Sequence, residues 1–195
     1  MASPISKERC VYWRIKCEYY QSGRNGNWVV FYNPQSSQPF YLEDDTGSML
    51  VEPKDAETDI PPDLQSTGYL AASPLGFFSA KLDKRVVDYI NGDEEIKRRF
   101  APLLRNELRV TEYYIAEGDP LYVLGSAEPR PGASSAVAHE NLVVKRGTLE
   151  RVMYISDTEE KTVTRKIRDS ALGLLGLGFL FAAIGLFALL INLGV

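Results

Sequence analysis

Histidine and cysteine are almost absent from this chain: His139, Cys10 and Cys17 are the whole complement. Three scattered side chains cannot build a Cys/His tetrahedral zinc centre without carboxylate help, so no structural zinc and no metal site are expected. His139 lies in Ala136-Val137-Ala138-His139-Glu140 with neither an orienting partner nor a nucleophile on a rigid element, and reads as an exposed loop histidine. The odd spacing of Cys10 and Cys17 in an extended stretch puts them on opposite faces, where they do not bridge each other. GxSxG, Walker, HExxH and post-strand GxGxxG motifs are missing, so no cofactor is expected. An apolar run near the N-terminus is missing too, since Lys7, Glu8 and Arg9 interrupt it, and no signal peptide is expected.

Charge is the last absence, and it is positional. The 22 basic and 26 acidic residues all lie at or before Asp169. From Ala171 to Ile191 the chain reads ALGLLGLGFLFAAIGLFALLI, an uninterrupted apolar run whose helical length of ~30 Å matches a bilayer core. A single C-terminal transmembrane helix is expected over 171–191, with a tail at 192–195. On a helix Ala171, Gly178, Ala182 and Gly185 fall on one narrow stripe, which would let a second membrane helix approach closely, as a homo-oligomer or with another protein. Lys161, Arg165, Lys166 and Arg168 precede the run and no basic residue follows it, which predicts a cytoplasmic soluble domain. Each of these four is expected to contribute up to ~1 kcal/mol on an anionic lipid surface.

The remaining 1–156 reads as one mainly β (α+β) domain. A small antiparallel β-barrel or β-sandwich with one or two short helices is expected. Val11, Trp13, Ile15, Cys17 and Tyr19 alternate with Arg14, Lys16 and Glu18, the period of a half-buried strand. Turn residues 22–27 then Trp28–Tyr32 predict a hairpin, and Pro39–Glu43, Asp44-Asp45-Thr46-Gly47 and Met49–Val51 predict a second. Acid-rich 44–45 is turn chemistry before it is a calcium site, because the EF-hand ligand spacing is absent. Residues 55–62 read as a surface connection. Leu82, Val86, Tyr89 and Ile90, then Ile96, Phe100 and Leu103 beyond Asn91-Gly92, recur at helical spacing. Val110–Ile115, the turn Glu117-Gly118-Asp119-Pro120 and Leu121–Leu124 predict a third hairpin, and Leu142–Val144 and Val152–Ile155 two closing strands. Ser156-Asp157-Thr158-Glu159 has capping-box form, predicting a juxtamembrane helix over 157–170 that runs on into the span. The basic residues between Lys81 and Arg109 are nearly balanced by acids, so no nucleic-acid partner is expected. Tyr12, Trp28, Phe31, Tyr41 and Tyr122 read as core first and as a binding surface second.

Three blocks together resemble a known family: Pro39-Phe40-Tyr41-Leu42-Glu43-Asp44-Asp45-Thr46-Gly47 with Val51-Glu52-Pro53; Thr111-Glu112-Tyr113 with Glu117-Gly118-Asp119-Pro120-Leu121-Tyr122-Val123-Leu124-Gly125; and Tyr154-Ile155-Ser156-Asp157 ahead of a membrane helix. Their order is similar to that of the GIDE domain, also called BAM ("beside a membrane"). It is found in membrane-embedded E3 ubiquitin ligases of the MAPL/MULAN type and in RING-less prokaryotic relatives. The resemblance marks Asp45, Thr46, Gly47, Glu112, Gly118, Asp119, Pro120 and Gly125 as motif residues, with structural turns as their expected role. It also implies a first membrane helix upstream of the block at Ser3-Pro4-Ile5-Ser6. A RING needs more Cys and His than this chain has, so ubiquitin transfer by this chain is not expected. The implied function is a non-catalytic domain that recruits or regulates a protein partner at a membrane, alongside membrane lipid. The alternatives are a subunit of an E3-like machine whose RING sits on another chain, and an enzyme using carboxylates around Glu43, Asp44, Asp45 and Glu112.

Overall fold

The computed structural model of the chain describes residues 1–24, 26–72, 78–130, 141–148 and 152–157. The expected juxtamembrane helix beyond Asp157, the span 171–191 with its stripe Ala171, Gly178, Ala182 and Gly185, the basic Lys161, Arg165, Lys166 and Arg168, and His139 lie outside the described residues. Among the described residues no helix is long and apolar enough to cross a membrane.

Two long strands form the spine. Strand β1 (Tyr12–Gln21) pairs antiparallel with β8 (Glu107–Ile115) from Tyr12↔Ile115 to Tyr19↔Leu108. β2 (Asn27–Tyr32) flanks β1, while β6 (Leu64–Ala72) and then β7 (Phe78–Ala80) flank β8, giving a five-stranded sheet in the order β2-β1-β8-β6-β7. Residues directly opposite share a face, so Ile15, Cys17, Glu112, Val110 and Leu108 look one way, and Tyr12, Lys16, Glu18, Arg109 and Ile115 the other.

On the first face lie helices α1 (Lys84–Asn91) and α2 (Glu94–Phe100), followed by a 3-10 turn at Ala101–Leu103. They start where aspartates cap them: Asp83 accepts from Arg85 N at 2.8 Å, and Asp93 accepts from Glu95 N and Ile96 N at 2.7 and 3.2 Å. Val86, Ile90 and Phe100 are fully buried against Ile15, Cys17, Leu70, Leu108 and Val110. Phe100 meets Phe31 edge-on at 5.0 Å between ring centroids. The helical period read from the sequence therefore marks the packed face correctly. So does the odd-numbered face of β1, though only for part of its length.

Tyr12, on the other face, is fully buried as well, and burial pushes its phenol up to about 12. With Ile115 it enters a second core built on two smaller sheets. One is β10 (Ser126–Pro129), β11 (Leu142–Lys145), β4 (Gly47–Val51) and β3 (Phe40–Asp44), in that order; the other is β5 (Glu57–Asp59), β12 (Tyr154–Ser156) and β9 (Tyr122–Leu124). Phe40, Val51, Ala56, Ile60, Met153 and Ile155 fill this core.

The domain is thus mainly β with two short helices, as expected, but the expected architecture needs correcting. Its described strands form three sheets and no closed barrel, and β11–β4 and β12–β5 pair in parallel rather than antiparallel. The first two hairpins form as expected. The third does not: β8 pairs with β1 on one edge and, from Glu107 to Glu112, with β6 on the other, beyond which Asp63 Oδ2 accepts from Tyr114 N at 2.7 Å, and β9 pairs with β12 instead. Residues 55–62 are not merely a surface connection, because they contain β5 and bury Ala56 and Ile60. The closing strands are real, with the second confined to Tyr154–Ser156.

Below Tyr12 on the same face, Glu18 is only 3% exposed and accepts from Arg109 Nε at 2.8 Å and Lys16 Nζ at 2.9 Å. The Arg109 guanidinium stacks over Trp28 at 4.3 Å. Burial opposes ionisation of Glu18, but the hydrogen bonds and charges of Arg109 and Lys16 outweigh it and hold the carboxyl below its ordinary value. A carboxylate with a depressed folded-state pKa contributes stability above the unfolded value, and that contribution is lost as pH falls through the folded one. Glu18→Gln should therefore lower stability by about 2 kcal/mol at neutral pH. Its unfolding curve and that of the parent should converge as the pH drops below the ordinary carboxylate range; parallel curves at all pH values would remove the ion pair from this account.

A second prediction concerns the entry to α1. A side chain at Gly68 would overlap the main-chain carbonyl oxygen of Lys81 as the chain turns back toward α1. Gly68→Ala should lower stability by about 2 kcal/mol or more, read from thermal unfolding. An unchanged midpoint would mean that β6 and the 81–83 segment separate freely.

Candidate functional site: a groove between two acidic turns

Of the motif residues expected at turns, Asp45 and Thr46 lie in the turn between β3 and β4 and Gly118 in the turn after β8, whereas Glu112 is not in a turn but inside β8. At the β3–β4 corner, Asp44 Oδ1 accepts from Thr46 N at 2.7 Å, Thr46 Oγ1 at 2.6 Å and Gly47 N at 3.1 Å. A single carboxylate oxygen thereby satisfies the main chain that reverses there. At the end of β8, Asp119 Oδ2 accepts from Ala116 N at 2.7 Å, and Gly118 takes φ +92°, a conformation that favours glycine. Pro120 then leads into β9, and Gly125 separates β9 from β10. Asp45 is an exposed turn residue.

Although some seventy positions apart in sequence, the two turns face one groove of about 830 Å³. Residues 41–44 and 46–49 of the β3–β4 hairpin, residues 117–121 and Val11 line it. Its apolar lining includes Val11, Leu42, Met49 and Leu121. Its charged lining is Glu43, Asp44, Glu117 and Asp119, with no lysine or arginine among the lining residues. Arg9 meets Glu117 at 2.9 Å, but both side chains are largely in solvent, where such a pair is weak. Tyr41, on this groove, is 58% exposed, unlike Tyr12, which is fully buried, and Trp28, Phe31 and Tyr122, which are half-buried.

Glu112 is elsewhere. It is fully buried, and its two carboxylate oxygens accept from Ile5 N at 2.7 Å and Ser6 N at 2.8 Å. These amides belong to an N-terminal loop closed by Ser3 N to Glu8 O at 2.8 Å and Cys10 N to Met1 O at 2.9 Å, and its Ile5 side chain joins the helix-side core. Glu112 is thus a clamp that holds the N-terminus over Ile15 and Leu64, its neighbours in register. The carboxylates named together in the sequence are consequently not brought together. Glu43 and Asp44 line the groove, Asp45 points to solvent and Glu112 lies under the N-terminal loop. Among the described residues no group of His, Cys, Asp and Glu is arranged to hold a metal ion.

Both cysteines are buried and unbridged. Burial pushes the Cys17 thiol up, with Glu18 beside it adding to the effect; burial also raises Cys10, against the pull of the N-terminal ammonium. Neither is poised as a nucleophile. At the far end of the domain, Ser156 closes β12 with its hydroxyl donating to Asp59 O at 3.1 Å, which ties the last described strand to β5.

The clamp gives a graded prediction. Glu112→Ala leaves two inward amides without acceptors and should lower stability by about 3 kcal/mol, whereas Glu112→Gln retains one oxygen acceptor and should lose roughly half of that. Unfolding midpoints, together with amide exchange at Ile5 and Ser6, check it. Equal losses from the two variants, or exchange that does not change, would show that the N-terminal loop is held by Ile5 packing alone.

Comparison of the chain with family models, with curated proteins and with solved structures returns no match in any of the three.

Proposed function

We propose that this chain is a membrane-anchored, non-catalytic module that recruits or regulates a protein partner at a membrane surface, in the manner that the resemblance to the GIDE/BAM domain implies. The observation that carries this reading is the uncharged apolar run Ala171–Ile191, placed after a β domain and preceded by Lys161, Arg165, Lys166 and Arg168. The run gives the anchor, and the basic residues give its orientation, with the domain on the cytoplasmic side and near anionic lipid. The described domain supports the recruiting half of the reading. Glu112, Asp44 and Asp119 each accept main-chain hydrogen bonds, while the groove between the two turns is open and partly apolar. Such a surface suits a protein ligand better than a small polar substrate.

The test has two readouts. The full chain should stay with membranes through an alkaline carbonate wash, and the double substitution Leu180→Arg, Ile184→Arg should release it. Crosslinking in its own membrane should capture a protein partner that survives replacement of 171–191 by an unrelated apolar helix. Release of the parent chain by carbonate would remove the anchor. Loss of the partner with the native helix would move recognition to the stripe of Ala171, Gly178, Ala182 and Gly185.

A further inference from the structure

Open sheet edges are where a β domain meets other chains, and most edges here are blunted. β5, β7 and β9 are three residues long, β10 contains Pro129, and β2 joins β1 through a register shift between Cys17 and Glu18. Shortness, proline and bulges are common protections of this kind. β3 has none of them. It pairs with β4 in unbroken register from Phe40↔Val51 to Asp44↔Gly47, and it contains neither lysine nor proline. It is the outer strand of its sheet, and among the described strands none pairs with its other side. What it carries instead is an acidic side chain, Glu43, beside the turn-bracing Asp44, and Glu117 and Asp119 line the same groove.

We infer that β3 and its groove take an extended segment of a partner protein as an added strand, one in which basic and apolar residues alternate. The inference rests on the partner-recruiting reading above and names the partner's chemistry. An added strand satisfies the outward main-chain groups of β3, and its side chains alternate between two faces. One set lies on the face of Leu42 and Met49, the other on the face of Tyr41 and Glu43, and Val11, Leu121, Glu117 and Asp119 line the same groove. Charge decides between possible occupants. A second copy of this chain would bring the same acidic groove against itself, whereas a basic strand neutralises it.

The experiment uses the full chain in nanodiscs of zwitterionic lipid, so that anionic headgroups do not compete for a basic probe. The probe is a fluorescent peptide of alternating lysine and valine. Its controls are the glutamate–valine counterpart and a lysine–valine peptide interrupted by a central proline. Binding is read by anisotropy, and amide exchange is followed at residues 40–44. The lysine–valine peptide should bind and slow exchange at 40–44. Both controls should bind at least about tenfold more weakly, as should the parent peptide to the Glu43→Lys, Glu117→Lys variant. Binding that tolerates the proline, or that leaves exchange at 40–44 unchanged, would reduce the effect to charge attraction and overturn the inference. Protection of 40–44 that grows with protein concentration in the absence of peptide would replace the peptide by a second copy. Absence of binding by every peptide would also overturn it, yet would leave intact the reading tested by membrane extraction and partner capture.

Discussion

The pairing of β1 with β8 joins segments nearly a hundred residues apart, and the rest of the domain hangs on it. Because both strands are long, each offers its two faces to different cores: Ile15, Cys17, Leu108 and Val110 to the helices, Tyr12 and Ile115 to the smaller sheets. The same pairing places Glu18 opposite Arg109 and Glu112 opposite Ile15, so the buried ion pair and the N-terminal clamp both depend on its register. A slip of one residue would turn Glu112 away from Ile5 and send Val110 to the polar face. Such a non-local pairing repays its loop-closure entropy only when the cores on both sides assemble, which ties the two halves of the domain into one cooperative unit.

Elements whose signals are local were legible in the sequence. Helices α1 and α2 announce themselves through a 3.6-residue period broken at Asn91-Gly92, and the β2 and β3–β4 hairpins through their turn residues. Where partner choice was non-local the reading failed. The stretch from β8 to β9 looks like a hairpin because two apolar runs flank a Gly-Asp-Pro turn, but β6 and then Asp63 take that edge of β8 as far as Tyr114, and β9 pairs with β12. β6 itself, LQSTGYLAA, is weakly patterned because Ser66 and Gly68 occupy inward positions: Ser66 Oγ accepts from Asp83 N at 2.8 Å, and Gly68 makes room for Lys81. The role of Glu112 has no local signature at all, since its partners are main-chain amides at the other end of the chain.

Acidic residues show how one residue type divides its work. Glu18 is buried against two cations, Glu112 binds two amides, and Asp44 and Asp119 brace turns. The first of these arrangements pairs a carboxylate with cations. Main-chain N–H groups orient and stabilise a carboxylate, but they are dipoles and leave its net charge in place. Asp119 therefore serves the fold and still contributes negative potential to the groove, together with Glu43 and Glu117.

That double role bears on how an exposed edge can persist. A regular edge strand without proline or bulge invites pairing, and the usual defence is charge. When the charges on the edge and on the facing wall have one sign, the defence works against copies of the same chain and against any acidic or neutral strand, while a basic strand finds its own charge compensated. On the inference of an added basic strand, the residues that would discourage self-pairing at β3 are the ones that would select the partner. Specificity at such an edge would then come as much from what Glu43, Glu117 and Asp119 repel as from what they attract.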